Sequence, residues 1–388
     1  MNAADQPVLF AAVPRPPRVL PTLDVQADIR YLAATARSMV NPPAATGMPF
    51  WSINPYVGCA FGCAYCYARY THRYVMERAA HAGALDADML PSGDAALPPW
   101  LAFERRILVK QEAAALLRRA LRPGRPAWRA IVERGEPVAI GTATDPYQPA
   151  ERRFGITRAL LGVLAEHVGL RIGLITKSAL VTRDAALLGA IARRSRLAVH
   201  VSLVTVDREL ARRIEPRAPT PEARLRAVRR LREAGVDVGV NCMPVLPGIT
   251  DRPAQLRALV RAVAEAGATH LDACALRLRS SARQRYLPWL AEAFPELAAR
   301  YRAAYASSHQ PGERYRQGLR RTMTRLCAEH ELPFGAWRDE DALREAGREM
   351  REAGRLPVVV AGVPGARQLE LEISDERNDE RRATSDER

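Results

Sequence analysis

From residue 138 onward the chain alternates short, continuously apolar runs with segments whose apolar residues recur at helical spacing. The apolar runs are VAIG at 138–141, RIGLIT at 171–176, LAVHVSL at 197–203, VDVGVNCM at 236–243 and HLDACAL at 270–276. Between them the spacing predicts helices at about 156–167, 183–194, 221–234 and 253–266. With FWSINPY at 50–56 counted first, six β units follow one another, each leading into a helix. Short strands apolar on both faces and separated by helices imply a parallel sheet covered on its outer side. Six such units suit a curved, partly closed barrel better than a flat doubly wound sheet. The expected class is therefore α/β, a partial (β/α)6 barrel. Chemistry in such barrels gathers at the C-terminal strand ends. Here those ends carry polar residues, at 142–147, 176–178, 202–205 and 241–247, and the first strand leads into three cysteines.

The flanks are patterned differently. Residues 1–49 are rich in proline and alanine and read as an arm mobile at its start, with a short helix expected within 27–40. YCYARYTHRYVMERAA at 65–80 has helical spacing, and the Gly, Pro and Asp residues of 81–99 suggest a surface insertion. FERRILVK at 103–110 is expected to be an edge strand, followed by a helix at 112–121. Beyond the core at 50–278, residues 279–355 form a helical C-terminal extension, with helices at 282–306, 312–330 and 340–353. The charged tail at 356–388 is expected to be disordered.

Composition narrows the class further. The 388 residues are 48 % hydrophobic, enough for a large core, yet no run approaches the roughly 20 apolar residues of a membrane span. The N-terminus lacks the basic-then-apolar pattern of a signal peptide, so a cytoplasmic protein without membrane contact is expected. The net charge of +15 suits a nucleic-acid partner. All but two of the 58 basic residues are arginine, however, and many fall on solvated helix faces. The exceptions are Lys110 and Lys177, and each calls for a reason.

The chemistry concentrates in NPYVGCAFGCAYCYAR, where Cys59, Cys63 and Cys66 have C-x3-C-x2-C spacing. Three thiolates in one loop can each take one iron of a cubane cluster, leaving the fourth iron for another ligand. A structural zinc site completed by His72 is the competing reading. Position opposes it, since the loop directly follows the first strand of a β/α series, with Tyr65 and Tyr67 beside the last cysteine.

CAFGCAYC resembles the cysteine loop of the radical S-adenosylmethionine superfamily, and the likeness extends over about 50–276. The resemblance implies a [4Fe–4S] cluster held by Cys59, Cys63 and Cys66, with S-adenosylmethionine on the open iron. One electron from the cluster then cleaves the sulfonium, yielding a 5′-deoxyadenosyl radical that abstracts hydrogen from substrate. More narrowly, GTATDPYQPAERR, ITKSALVTRD and SLVTVDRELARRIEPRAP resemble the spore photoproduct lyase branch, which is DNA-repair-photolyase-like. That likeness implies that Thr144 and Asp145 hold the methionine end of the cofactor. It implies that Lys177 and Ser202 contact its carboxylate or ribose, that Tyr65 lines the cavity, and that Tyr67 lies on the radical path. Glu215 and Arg217 are expected to pair beside the site, and Pro247-Gly248 to turn the chain after the fifth strand.

One position departs from the branch. Thr142 stands where spore photoproduct lyase has its hydrogen-donating cysteine, and a hydroxyl O–H bond is too strong to substitute for a thiol. Cys242 and Cys274, on the fifth and sixth strands, are the thiols that could donate instead, although lone cysteines in apolar strands usually pack in the core; Cys327 reads as packing too. The resemblance thus implies a radical enzyme served by an electron donor such as a flavodoxin or ferredoxin, with nucleic acid as the first substrate expected. A peptide or small metabolite is the second reading, and a non-catalytic zinc or iron–sulfur module the third.

Overall fold

The computed structural model describes residues 22–71 and 97–335. The strands among them are β1 (Thr22–Gln26), β2 (Ile29–Ala33), β3 (Val40–Asn41), β4 (Trp51–Ile53), β5 (Tyr56–Val57), β6 (Arg106–Val109), β7 (Val138–Ile140), β8 (Arg171–Thr176), β9 (Arg196–Ser202), β10 (Asp237–Val245) and β11 (His270–Ala275). The main sheet runs β11-β10-β9-β8-β7-β4-β3. Every pair from β4 to β11 is parallel, and β3 closes one edge antiparallel to β4. All six expected β units are therefore present, neighbours in space in the order of the chain. β3 and β11 remain separate edges, so the barrel is partial.

Helices Ile156–Leu164, Ala185–Ala192, Pro221–Glu233 and Pro253–Glu265 form where apolar spacing predicts them. Each begins or ends within three residues of the expected boundary. Their apolar faces meet the sheet through a core that includes Leu160, Leu188, Val228, Leu231, Val260 and Val263. A short helix at Arg208–Ile214 was not anticipated. Asp207 caps it, accepting from the backbone N–H groups of Glu209 at 2.9 Å and Leu210 at 3.0 Å.

The arm departs from expectation. Residues 29, 32, 36 and 39 mimic helical spacing, yet 29–33 is a strand. β2 pairs parallel with β6 and antiparallel with β1, in a second sheet ordered β1-β2-β6-β5. Tertiary hydrogen bonding overrides the local pattern here. For the same reason FERRILVK divides: its first three residues end a helix, Pro99–Arg105, and only 106–109 forms the strand.

Three C-terminal helices, Ser280–Ala293, Pro295–Ala304 and Glu313–Ala328, follow the sheet. Tyrosines tie them to the strand ends: Tyr301 Oη donates to Pro247 O at 2.6 Å and Tyr305 Oη to Leu276 O at 3.1 Å. Tyr286, Tyr301 and Tyr305 share one apolar cluster with Cys59, Phe61, Cys63 and Tyr65, so the extension packs directly over the cysteine loop. The helix continuing past Thr71, most of the 81–99 insertion, the 340–353 helix and the 356–388 tail lie outside the described residues.

Candidate active site

The cysteine loop is held by backbone bonds to distant elements. Cys59 N donates to Phe103 O at 2.9 Å and Ala64 N to Ile214 O at 3.0 Å. Gln148, fully buried, accepts from Ala60 N at 2.8 Å and donates to Gly58 O at 3.0 Å and Thr144 Oγ1 at 2.9 Å. Thr144 Oγ1 in turn donates to Gly58 O. On the other flank buried Arg69 donates to Cys63 O at 2.8 Å and to Glu104 Oε2 at 2.6 Å. Arg217 donates to Ala60 O, and its guanidinium lies where Gly62 leaves room, since a Cβ there would come within 2.5 Å of it. Gly62 also has φ of +67°, which an L side chain seldom adopts.

Cys59 and Cys63 are buried and Cys66 partly so; none is in a disulfide. Burial pushes the Cys59 thiol up to about 12, and raises those of Cys63 and Cys66 as well. Thiolates in such a place need a metal cation beside them. Among the described residues the three sulfurs do not all lie within 4.8 Å of one another, so at least one pair is farther apart. Three thiolates on one zinc would stand only about 3.8 Å apart, from Zn–S bonds of about 2.3 Å in a tetrahedron. A wider spread matches donors that each take a different iron of one cluster. This donor set fits the cubane group and weighs against the zinc site; His72 lies outside the described residues.

The strand ends bring the other candidates beside this loop. Asp145 follows β7; its Oδ1 accepts from Thr176 Oγ1 at 2.7 Å and Tyr147 N at 2.9 Å, and its Oδ2 from Lys177 N at 2.7 Å. The carboxylate thus ties the end of β7 to the end of β8 and serves the turn as well. Burial raises its pKa against the opposing effect of those donors. Lys177 Nζ stands 5.5 Å from the centre of the Tyr65 ring and 4.0 Å from Glu215 Oε1. Burial works to lower the Lys177 pKa, but Cys63 and Glu215 outweigh it and leave the ammonium raised. Ser202 is buried at the end of β9, and its carbonyl accepts from Arg224 at 3.0 Å.

Glu215 is the hub of this side. Tyr65 Oη donates to Oε1 and buried Arg224 to Oε2. The expected Glu215–Arg217 pair is corrected: Arg217 is drawn to the loop carbonyls, and the partner is Arg224, whose helix begins at Pro221. Despite burial, Arg224 and Lys177 hold the Glu215 carboxyl below its usual range.

Tyr67 is half exposed and its hydroxyl donates to Thr142 O. The surrounding protein still raises the phenol pKa, with Cys66, Tyr70 and Cys274 adding to the effect. Asn54 joins the group, donating to Thr142 Oγ1 at 3.1 Å and accepting from Ala143 N at 2.8 Å. Lys110 completes it, donating to Asn54 O at 2.7 Å, which accounts for the second rare lysine. Cys242 and Cys327 are fully buried as expected. Cys274 is not a core residue: it is partly exposed and lines a cleft of about 240 Å³ between β11 and the helix Glu313–Ala328. Arg277, Arg316 and Arg320 line the same cleft.

Sequence reading missed Gln148, Arg69, Glu104 and Arg224. Gln148 lies in DPYQP, one residue beyond the segment singled out at the end of the second strand, and that proximity was its one signal. The others belong to helices whose facing partner only the fold supplies.

Residues 53–260 match the family model of the radical SAM superfamily, and the chain belongs to that superfamily. It is an enzyme family whose members use a [4Fe–4S] cluster and S-adenosylmethionine. The uncharacterized protein Rv2578c of Mycobacterium tuberculosis is 38 % identical over 306 residues, covering 78 % of this chain and 82 % of that one. The uncharacterized protein MJ0683 of Methanocaldococcus jannaschii is 24 % identical over 227 residues, covering 58 % and 72 %. Among solved structures, spore photoproduct lyase complexed with dinucleoside spore photoproduct superposes with a TM-score of 0.52 at 13 % identity, covering 78 % of this chain and 80 % of that one. This last likeness is one of fold. No helix among the described residues is long and apolar enough to cross a membrane.

Proposed function

We propose that this radical SAM enzyme holds its cluster through Cys59, Cys63 and Cys66 and abstracts hydrogen from a nucleic-acid substrate. The observation that carries the cluster assignment is the cysteine loop itself, with its C-x3-C-x2-C spacing, clamped at the C-terminal end of the sheet by bonds to Phe103, Ile214, Gln148 and Arg69. With the cluster reduced by a flavodoxin or ferredoxin, the bound cofactor supplies a 5′-deoxyadenosyl radical.

The chain's own residues bind, orient and exclude water. Lys177 offers a cation to the carboxylate of an amino acid, held in place by Glu215 and Tyr65. Asp145 and Thr144 keep two strand ends registered with the loop, and Ser202 lines the far side. Tyr67 and Thr142 face the mouth where a substrate radical would stand. The tyrosine-tied helices Ser280–Ala293 and Pro295–Ala304 shield the loop from solvent.

Nucleic acid is favoured as substrate by the net charge of +15 and by the three arginines of the cleft. The dinucleoside bound by spore photoproduct lyase is a precedent on the same fold. The test is anaerobic reconstitution, reduction in the presence of S-adenosylmethionine, and assay of 5′-deoxyadenosine. Wild type should form it and Cys63→Ala should fall to the protein-free control. Deuterium transfer into 5′-deoxyadenosine from labelled DNA would support the substrate class. No binding of DNA or RNA at low salt would overturn that part and leave a peptide or small metabolite. A fully loaded cluster giving no 5′-deoxyadenosine would overturn the whole.

A further inference from the structure

Toward the β9–β11 edge of the sheet a second group of metal-ligating side chains converges, on the face that also carries Ser202. His200 of β9 and His270 of β11 both register with Gly239 of the intervening β10. Their rings lie 5.1 Å apart, edge to face. Asp272 stands two residues beyond His270, on the same face of β11. One ligand atom from each of the three lies within 4.8 Å of the other two, and all three side chains are buried.

Three details of the site point to a cation. The first is the tautomer of His270. Thr269 Oγ1 has a single proton and faces two acceptors, Asp237 Oδ1 and, at 3.1 Å, Val238 O. Its 2.9 Å contact with His270 Nδ1 is therefore an N–H donating to the hydroxyl, so that the ring in its neutral form carries the lone pair on Nε2. A ligating histidine is held in this way by a bond to its other nitrogen. The second is what Nε2 meets. It is buried without a hydrogen-bond partner, and Asp272 Oδ2 lies 4.0 Å from it. At 4.0 Å the two atoms stand wider than the ~3.4 Å separating N and O donors on one tetrahedral zinc, so a side-chain shift of about half an ångström would bring both onto one ion. The third is reserved space. A Cβ at Gly239 would come within 2.1 Å of His270 Nε2, so glycine is the residue that lets the His270 imidazole turn inward.

We propose that His200, His270 and Asp272 bind one divalent cation of the zinc or ferrous class, at a site independent of the cysteine loop. Two imidazoles and one carboxylate are the donor set for such an ion. Asp272 also lines the cleft that holds Cys274 and the three arginines, so the ion would stand at the floor of that opening.

The test uses the cluster-reconstituted protein, equilibrated anaerobically with micromolar Zn2+ and analysed for zinc and iron per chain. About one zinc per chain is expected in addition to the cluster iron, and it should persist when Cys59, Cys63 and Cys66 are all changed to alanine. Asp272→Asn and His270→Gln should each weaken zinc binding by about ten-fold or more without lowering the iron content. Wild type that takes up no zinc beyond its cysteines, or variants that retain it undiminished, would overturn the site. Should the variants fail to fold, nitrogen-15 NMR of the histidines in wild type decides. Zinc should shift the His270 Nε2 resonance, whereas a ring protonated on both nitrogens at saturating zinc would overturn the proposal.

Discussion

At the β4–β7–β8 side of the barrel mouth, most polar groups around the cysteine loop are matched within the protein, Arg69 Nε being an exception. Gln148, Thr144, Asn54 and Asp145 each meet two or more partners, and the buried arginines face carbonyls or carboxylates. Across the sheet, between β9 and β11, a histidine nitrogen and a carboxylate oxygen face each other over 4.0 Å. A satisfied network in a low-dielectric interior is rigid, whereas a buried imidazole nitrogen such as His270 Nε2, without a hydrogen-bond partner, is costly unless something meets it. The first region is built to hold a loop still. The second is built to receive an ion.

The largest expected effect tests the rigid side at its hub. Glu215→Gln leaves the Arg224 guanidinium buried without its charge partner, and urea unfolding should show a loss of about 3–5 kcal/mol. A loss under about 1 kcal/mol would mean that the region relaxes easily and that the contrast with β9–β11 is false. Next comes Gln148→Leu, which strips three bonds from the loop and from Thr144. It should cost about 1–3 kcal/mol and lower the iron retained after reconstitution; unchanged iron would show that the loop does not need its clamp.

Lys110 gives a pH test on the same side. Burial lowers its pKa to about 8, whereas an unfolded lysine titrates near 10.4. Between those values the unfolded chain binds more protons, so this residue makes stability rise with pH across that window. Below about pH 8 both states are charged and its burial penalty is constant. Lys110→Met should flatten that slope. Carbon-13 lysine labelling shows just two Cε resonances in this chain, and one should titrate near 8. The smallest effect belongs to the cleft: Arg277→Ser should reduce the salt dependence of DNA binding by about one unit of slope. An unaltered slope would separate the cleft from the nucleic-acid surface.

Much of this arrangement was legible from residue order. The six apolar runs, each followed by a helix, yield the six parallel strands, because a strand buried on both faces needs continuous apolar sequence. The cysteine spacing and its place after the first strand were equally plain. The arm was not: 29–33 carries helical spacing and became a strand because β6 offered a hydrogen-bonding edge. Nor could the partner of Glu215 be chosen between Arg217 and Arg224, since both are near in sequence and only the direction of the helix from Pro221 aims the second one inward.

What the sequence determined by itself was the chemistry available at each strand end, since strand period and motif spacing are local properties of the chain. What the tertiary structure alone decided was which of those groups meet. HLDACAL places His270 and Asp272 on one face of a strand, but His200 joins them only through the register of β9 and β10, with Gly239 leaving the space between. Register between strands far apart in the chain is set by the packing of whole elements, which no short stretch of residues encodes.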